Sequence, residues 1–222
     1  VFGISCGDVN GVGIEIIIKA FLDGQFLHYG IPVLYAPLTV VKFYKKLFGY
    51  NQLSLNVITK TKDAIQNKFN VINISDSEFI VEPGQANIIS GKLALDSLDC
   101  AIGDLKQNLI DVLVTLPINK QTVALNQHNF VGHTEYLLQQ LDLNSNCLMF
   151  LCSNKIKVAT LTNHLPISEV AKNINYQILR EKIKILLESL KKDFSIPMPK
   201  VAILGLNPHA GDSGLIGSEE AK

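Results

Sequence analysis

Two loops in this chain carry histidine in matching contexts, TNHLP at Thr162–Pro166 and NPHAGDSG at Asn207–Gly214. Each follows a short apolar run that reads as a buried strand, and the ends of neighbouring strands converge in space. His164 and His209 could therefore share a metal ion. Two imidazoles are a partial ligand set, because structural zinc takes four protein ligands and catalytic zinc three with an open position. Hydrogen-bonded loop histidines remain the alternative reading.

Three other segments have the residue types for binding an anion. GDVNGVGIEI at Gly7–Ile16 is a strand end, a turn with Gly7, Gly11 and Gly13, and a helix start. Glycines there let backbone amides approach phosphate or carboxylate at a helix N-terminus. The spacing is neither the dinucleotide fingerprint nor a P-loop, and a plain tight turn with Asp8 and Asn10 as turn residues fits equally well. VTLPINKQTV at Val114–Val123 places Asn119 and Lys120 just after a strand halted by Pro117. Lys120 there either holds an anionic group or is a solvated surface lysine. In FVGHTEY at Phe130–Tyr136, Gly132 permits an unusual backbone and His133 and Thr134 project donors, while Thr134 with Glu135 can begin a helix.

These residues need elements to position them. Strands are expected at Phe2–Cys6, Ile31–Ala36, Leu53–Ile58, Val71–Ile74, Asp111–Leu116, Cys147–Cys152, Lys157–Leu161 and Val201–Leu206. Helical periodicity runs over Gly13–Leu22, Leu38–Phe48, Ile88–Leu109, Thr134–Leu141 and Ile167–Lys192, the last with Ser168 as N-cap and Asn175 and Tyr176 marking a break. Strand and helix alternate, which argues an α/β protein with a largely parallel or mixed sheet. Lys182, Lys184, Lys191 and Lys192 alternate with Glu181 and Glu188, the pattern of a solvated face.

Composition narrows the function classes. With 47% hydrophobic residues among 222, the chain can bury a full core. Twenty basic against twenty acidic residues give no net charge, so no global field draws it to nucleic acid or an anionic membrane. No apolar run approaches the roughly 18 residues of a membrane span. Cys6, Cys100, Cys147 and Cys152 lie in apolar runs without paired spacing and are expected as buried reduced thiols in a cytoplasmic protein. The opening VFGISCGD has no basic region or cleavage site of an export signal. GLIGSEEAK reads as a helix beginning at Ser218, so a C-terminal continuation is expected.

In order and spacing, GDVNGVGIEI, the PGQ and SGKLALDSL region of Pro83–Leu98, VTLPINK, GHTEYL, TNHLPI and LGLNPHAGDSGLIGSEE resemble the 4-hydroxythreonine-4-phosphate dehydrogenase family of the pyridoxal-phosphate pathway. The resemblance covers nearly the whole chain. It departs at the first motif, where family members more often read GDPAGIGPE and this chain has Val9, Asn10 and Ile14. It implies NAD-dependent oxidation of 4-phosphooxy-L-threonine followed by decarboxylation. It also implies a divalent metal (zinc, magnesium or cobalt) and a homodimer with metal ligands from both subunits. The implied fold is that of the isocitrate and isopropylmalate dehydrogenases, two α/β lobes around a cleft. On that basis residues 1–222 form one α/β dehydrogenase unit whose lobe boundary the sequence does not mark. His133 and Thr134 fall on the family's substrate-binding pair, and His164 and His209 on its first two metal ligands. The third metal histidine and further substrate-binding residues are expected beyond Lys222.

Three readings compete with this one, the third being a noncatalytic metabolite-binding module, which would bind ligand but show no turnover under any metal. A paralogous dehydrogenase acting on another phosphorylated hydroxy acid, such as threonate or erythronate 4-phosphate, would use the same metal and NAD chemistry. A metal-dependent phosphohydrolase would need no nicotinamide, but the chain lacks the acidic cluster of a two-metal site.

Overall fold

A computed structural model describes residues 1–77, 79–127, 130–143 and 147–221, and divides the chain into two compact units, Val1–Asp142 and Leu143–Lys222. In the first unit, β1 (Phe2–Ser5), β2 (Pro32–Ala36), β3 (Leu55–Ile58), β4 (Phe69–Asn73) and β5 (Val112–Thr115) form one sheet in the order β3-β4-β2-β1-β5. Every pairing is parallel. The PVLYA sequence of β2 is buried at all five positions, as a central parallel strand covered on both faces requires. The expected α/β class with a parallel sheet is therefore what the chain forms.

Pleating sorts the strand residues between two helical layers. Ile4, Leu34 and Val71 cluster with Ile14, Ile17 and Ile18 of α1 (Gly13–Asp23) and with Val40, Val41 and Tyr44 of α2 (Leu38–Leu47). Val33, Tyr35 and Ile58 cluster instead with Ala101 of α3 (Ile88–Lys106). The Asn87 side chain caps α3 by accepting from the Ser90 amide at 2.8 Å. The helix is then pinned across the sheet by Ser97, whose buried hydroxyl accepts from Cys6 N at 2.8 Å and donates to Tyr35 O at 2.6 Å. Beyond β5 come α4 (Lys120–Asn126) and α5 (His133–Gln140). A Cβ on Gly91 of α3 would stand 2.2 Å from Thr122 O, so α3 and α4 meet backbone to backbone where only glycine fits. Val123, Phe130 and Tyr136 complete a cluster over Ala94, Leu95, Leu98 and Ile102.

From β1 the chain moves one way to β2, and from β4 it returns past β1 to β5. The loops after β1 and β5 therefore leave adjacent strands at the point where strand order reverses, the usual ligand position in an open parallel sheet.

The second unit holds an antiparallel hairpin, β6 (Met149–Cys152) and β7 (Lys157–Thr160), then α6 (Ile167–Val170) and α7 (Tyr176–Lys192). The helical segment breaks at Asn175, whose side chain accepts from the Ile178 amide at 2.9 Å and caps α7. Ser168 lies inside the short α6 and makes no cap, so the expected cap position is corrected to Asn175 for the long helix. Val201–Leu206 forms no strand. Its backbone has no ladder partner among the described residues, and Leu204 is 88% exposed. The segment after Ser218 is a short 3-10 turn, Glu219–Ala221, in place of the expected α-helical start. All four cysteines are free, but only Cys6 is buried, while Cys100 and Cys152 are exposed. Burial pushes the Cys6 thiol up to about 12, so it is an unreactive core group. Among the described residues no helix is long and apolar enough to cross a membrane.

Candidate anion and metal-ligand sites

The loops after β1 and β5 are sewn together. Gly7 takes φ +66, and the next amide, Asp8 N, donates to Pro117 O at 2.9 Å. The Asp8 carboxylate accepts from the Asn10 amide at 3.0 Å and its carbonyl from Gly11 N at 2.9 Å, the side-chain-closed turn foreseen for these residues. Asn10 does more than turn the chain. It is 2% exposed and clasps the PGQ segment through three bonds. Its Nδ2 donates to Gln85 O at 2.9 Å, its Oδ1 accepts from Glu82 N at 3.0 Å, and its carbonyl accepts from Gly84 N at 2.8 Å. The glycine-rich loop and the approach to α3 are thus one rigid edge.

After β5, the Asn119 side chain is occupied as the N-cap of α4, accepting from the Gln121 and Thr122 amides at 3.0 and 3.3 Å. The cap fixes Lys120 at the first helical position with its stem exposed. Lys120 Nζ reaches to 3.7 Å from where a Cβ on Gly132 would lie, so it stands beside the start of α5.

At that start Gly132 is fully extended and offers no side-chain cap. The first amides of α5 therefore lack the acceptor that a Ser, Asp or Asn would give. His133 is half-buried, edge-on to Phe130 with ring centroids 6.4 Å apart. Its Nε2 is shut off from solvent and has no hydrogen-bond partner among the described residues. Burial first, and the Lys120 charge second, push the His133 imidazole below its ordinary value, so it is neutral at physiological pH. A depressed imidazole contributes stability that is present above the ordinary histidine value and lost as pH falls through the lowered one. Thr134 is exposed next to it. The helix is held in place by Tyr136, whose hydroxyl donates to Asp99 Oδ1 of α3 at 2.6 Å.

His164 and His209 both belong to the second unit, and both are exposed with left-handed backbone, φ +54 and +51. His209 opens a run of left-handed residues that continues through Ala210, Gly211, Asp212 and Ser213. Each non-glycine member costs on the order of 1–2 kcal/mol, a pattern typical of functional loops. Asn207 braces the run, its amide donating to Glu220 Oε1 at 2.5 Å and its Nδ2 to Glu219 Oε2 at 2.7 Å. Imidazoles suit a divalent transition metal, but no group of three or more His, Cys, Asp or Glu among the described residues makes a complete site. His164 and His209 are therefore not part of any such group among the described residues. No feature of the described residues supplies a nicotinamide-binding fingerprint.

The first unit is thus an open parallel α/β body with an uncapped helix start after its last strand. The family model described as pyridoxal phosphate biosynthetic protein PdxA matches residues 30–222, and the chain belongs to that family. It is 40% identical over 218 residues to a 4-hydroxythreonine-4-phosphate dehydrogenase of Bacteroides thetaiotaomicron, covering 98% of this chain and 60% of that protein. It is 29% identical over 223 residues to a protein of Oceanobacillus iheyensis provisionally named D-threonate 4-phosphate dehydrogenase, covering 99% of this chain and 66% of that one. The crystal structure of a 4-hydroxythreonine-4-phosphate dehydrogenase from Burkholderia phymatum superposes with TM-score 0.85 at 25% identity, over the whole chain and 67% of that structure. The chain thus spans about two thirds or less of the length of these relatives.

Proposed function

We propose that the protein oxidises 4-phosphooxy-L-threonine with NAD and that the resulting β-keto acid loses carbon dioxide to leave 3-amino-2-oxopropyl phosphate. The secondary alcohol loses a hydride to the nicotinamide and its hydroxyl proton to the medium. The carboxylate then leaves as carbon dioxide and its electron pair is captured by a proton. The observation that carries this reading, beside family membership, is the His133 Nε2, buried and unpartnered at an uncapped helix start. A polar atom so placed is costly unless a ligand meets it, and a substrate phosphate would accept from His133, Thr134 and the α5 amides.

His164 and His209 are proposed as two ligands of a divalent ion, zinc, magnesium or cobalt. When bound, such an ion supplies Lewis acidity to the oxidation. The reading also includes a homodimer acting in the cytoplasm. Sedimentation at micromolar concentration should give a dimer, and a monomer alone would remove the shared site.

The deciding assay follows NADH absorbance from the full-length protein with 4-phosphooxy-L-threonine, metal-depleted and then resupplied with each ion. NADH formation restored by metal is the expected result. NADH from threonate or erythronate 4-phosphate alone would transfer the assignment to the paralogous activity, which the Oceanobacillus relative makes the second reading. Phosphate release without NAD would replace it with hydrolysis.

A further inference from the structure

Substrate binding by His133 and Thr134 needs the start of α5 held in register with the strand C-termini. We propose, resting on the function given above, that Asn10 is a positioning residue for substrate binding. Its side chain latches the turn before α3 to the loop after β1 and, through α3 and α4, fixes the place of His133 and Thr134.

The connection from β4 to α3 spans residues 74–87, and its turn at Glu82–Gln85 is exposed at all four positions. The turn closes on itself through Gln85 N, which donates to Glu82 O at 3.0 Å, with Gly84 at φ +82. Among the described residues, its hydrogen bonds to the rest of the molecule all run to Asn10. Upstream, Phe79 and Val81 pack against the core, so Asn10 governs the part of the connection that enters α3. The other end of the latch is anchored: Asp8 N donates to Pro117 O, and the Tyr44 hydroxyl donates to Val9 O at 3.1 Å. Asn10 is also a position where the first motif departs from the commoner GDPAGIGPE. Alanine there has no atoms for either side-chain bond, so the latch is a feature of this chain.

The start of α3 carries the elements that follow. Two residues past the turn, Asn87 caps the helix. Asn126 Nδ2 at the end of α4 donates to Ile88 O at 2.8 Å, and Gly91 meets Thr122 O backbone to backbone. Beyond α4, Phe130 stands edge-on to His133 and packs with Tyr136 over α3. These contacts join backbone and buried side chains, so a shift at the start of α3 is passed on to the start of α5.

The test is N10A in the full-length protein, read first by amide hydrogen exchange. Glu82 N loses its acceptor directly, so the informative amide is Gly84, whose bond to the Asn10 carbonyl the substitution leaves in place. Its exchange should rise at least about fivefold once two ordinary hydrogen bonds no longer hold the turn. Inorganic phosphate, followed by the His133 imidazole signals without NAD, should bind N10A about fivefold or more weakly than wild type. KM for 4-phosphooxy-L-threonine should rise by a similar factor, with kcat changed less than about twofold. N10D is isosteric and still accepts from Glu82 N but cannot donate to Gln85 O, so it should fall between wild type and N10A in each measurement. Unchanged Gly84 protection overturns the proposal, as does a released turn with phosphate affinity and KM both unchanged. No phosphate response at His133 in the wild type overturns it too, since no site is then there to position. Weaker phosphate binding by N10A, with no NADH from any substrate in the wild type, would instead overturn the proposed reaction and leave the latch standing.

Discussion

His164→Ala and His209→Ala should each give a folded protein that retains little metal and turns over at a small fraction of the wild-type rate. Both side chains are exposed, so truncation opens no cavity, and the local backbone remains left-handed for alanine as it was for histidine. Surface changes of this kind usually alter stability by less than about 0.5 kcal/mol, or roughly 2 °C in Tm for a chain of this size. Loss of a second-sphere partner of a metal ligand typically costs 10–100-fold in affinity or activity. Removing the ligand itself should therefore exceed about 100-fold. Metal content per chain, measured after dialysis, distinguishes ligation from any other role of these loops. A variant with wild-type metal content would end the assignment of that histidine, whatever its activity. The ligand that is lost also separates the two loops from the proposed phosphate site, because His133→Ala should weaken phosphate binding without releasing metal.

Much of this arrangement was legible in sequence because it is local. The apolar runs of β1, β2, β5, β6 and β7 stand within a residue or two of their expected places, since short Val/Ile/Leu-rich stretches bounded by Gly, Pro and Asn carry their own signal. Val201–Leu206 has the same composition and is no strand, because a ladder needs a neighbour that composition does not reveal. Ser168 and Asn175 are both good cap residues, and the choice between them fell to the stronger apolar period that follows Asn175. Asn10 reads as a turn residue, yet its main contacts lie 72 and 75 residues away in the segment before α3. Lys120 and His133 carry no joint motif either, and their proximity arises from how α4 and α5 dock on α3. The cysteines show the same limit: Cys100 sits in an apolar run but faces out from α3. His164 and His209 stood out in sequence by their repeated context after apolar runs, while the left-handed backbone at both positions is a property only the folded chain displays.

Gly7→Ala should be the most damaging single-methyl change in the first unit. Two independent costs meet at this residue. Alanine at φ +66 pays the left-handed penalty of roughly 1–2 kcal/mol. Its Cβ would also stand 2.2 Å from Pro117 O and 2.8 Å from Leu116 O, and both obstacles are backbone atoms that no rotamer change removes. Overpacking against fixed structure costs about 1–3 kcal/mol more. A combined loss near 3 kcal/mol corresponds to a fall in Tm of about 6–12 °C. Relief requires the loop after β1 to separate from the loop after β5, which breaks the Asp8–Pro117 hydrogen bond and shifts the Asn119 cap and Lys120 behind it. Gly103→Ala supplies the contrast: nothing stands within 4 Å of its Cβ position in the last turn of α3, and helix propensity favours alanine there by up to about 1 kcal/mol. Thermal unfolding should move in opposite directions for the two variants. A Gly7→Ala protein melting within a degree of wild type would show that the two loops are not rigidly joined.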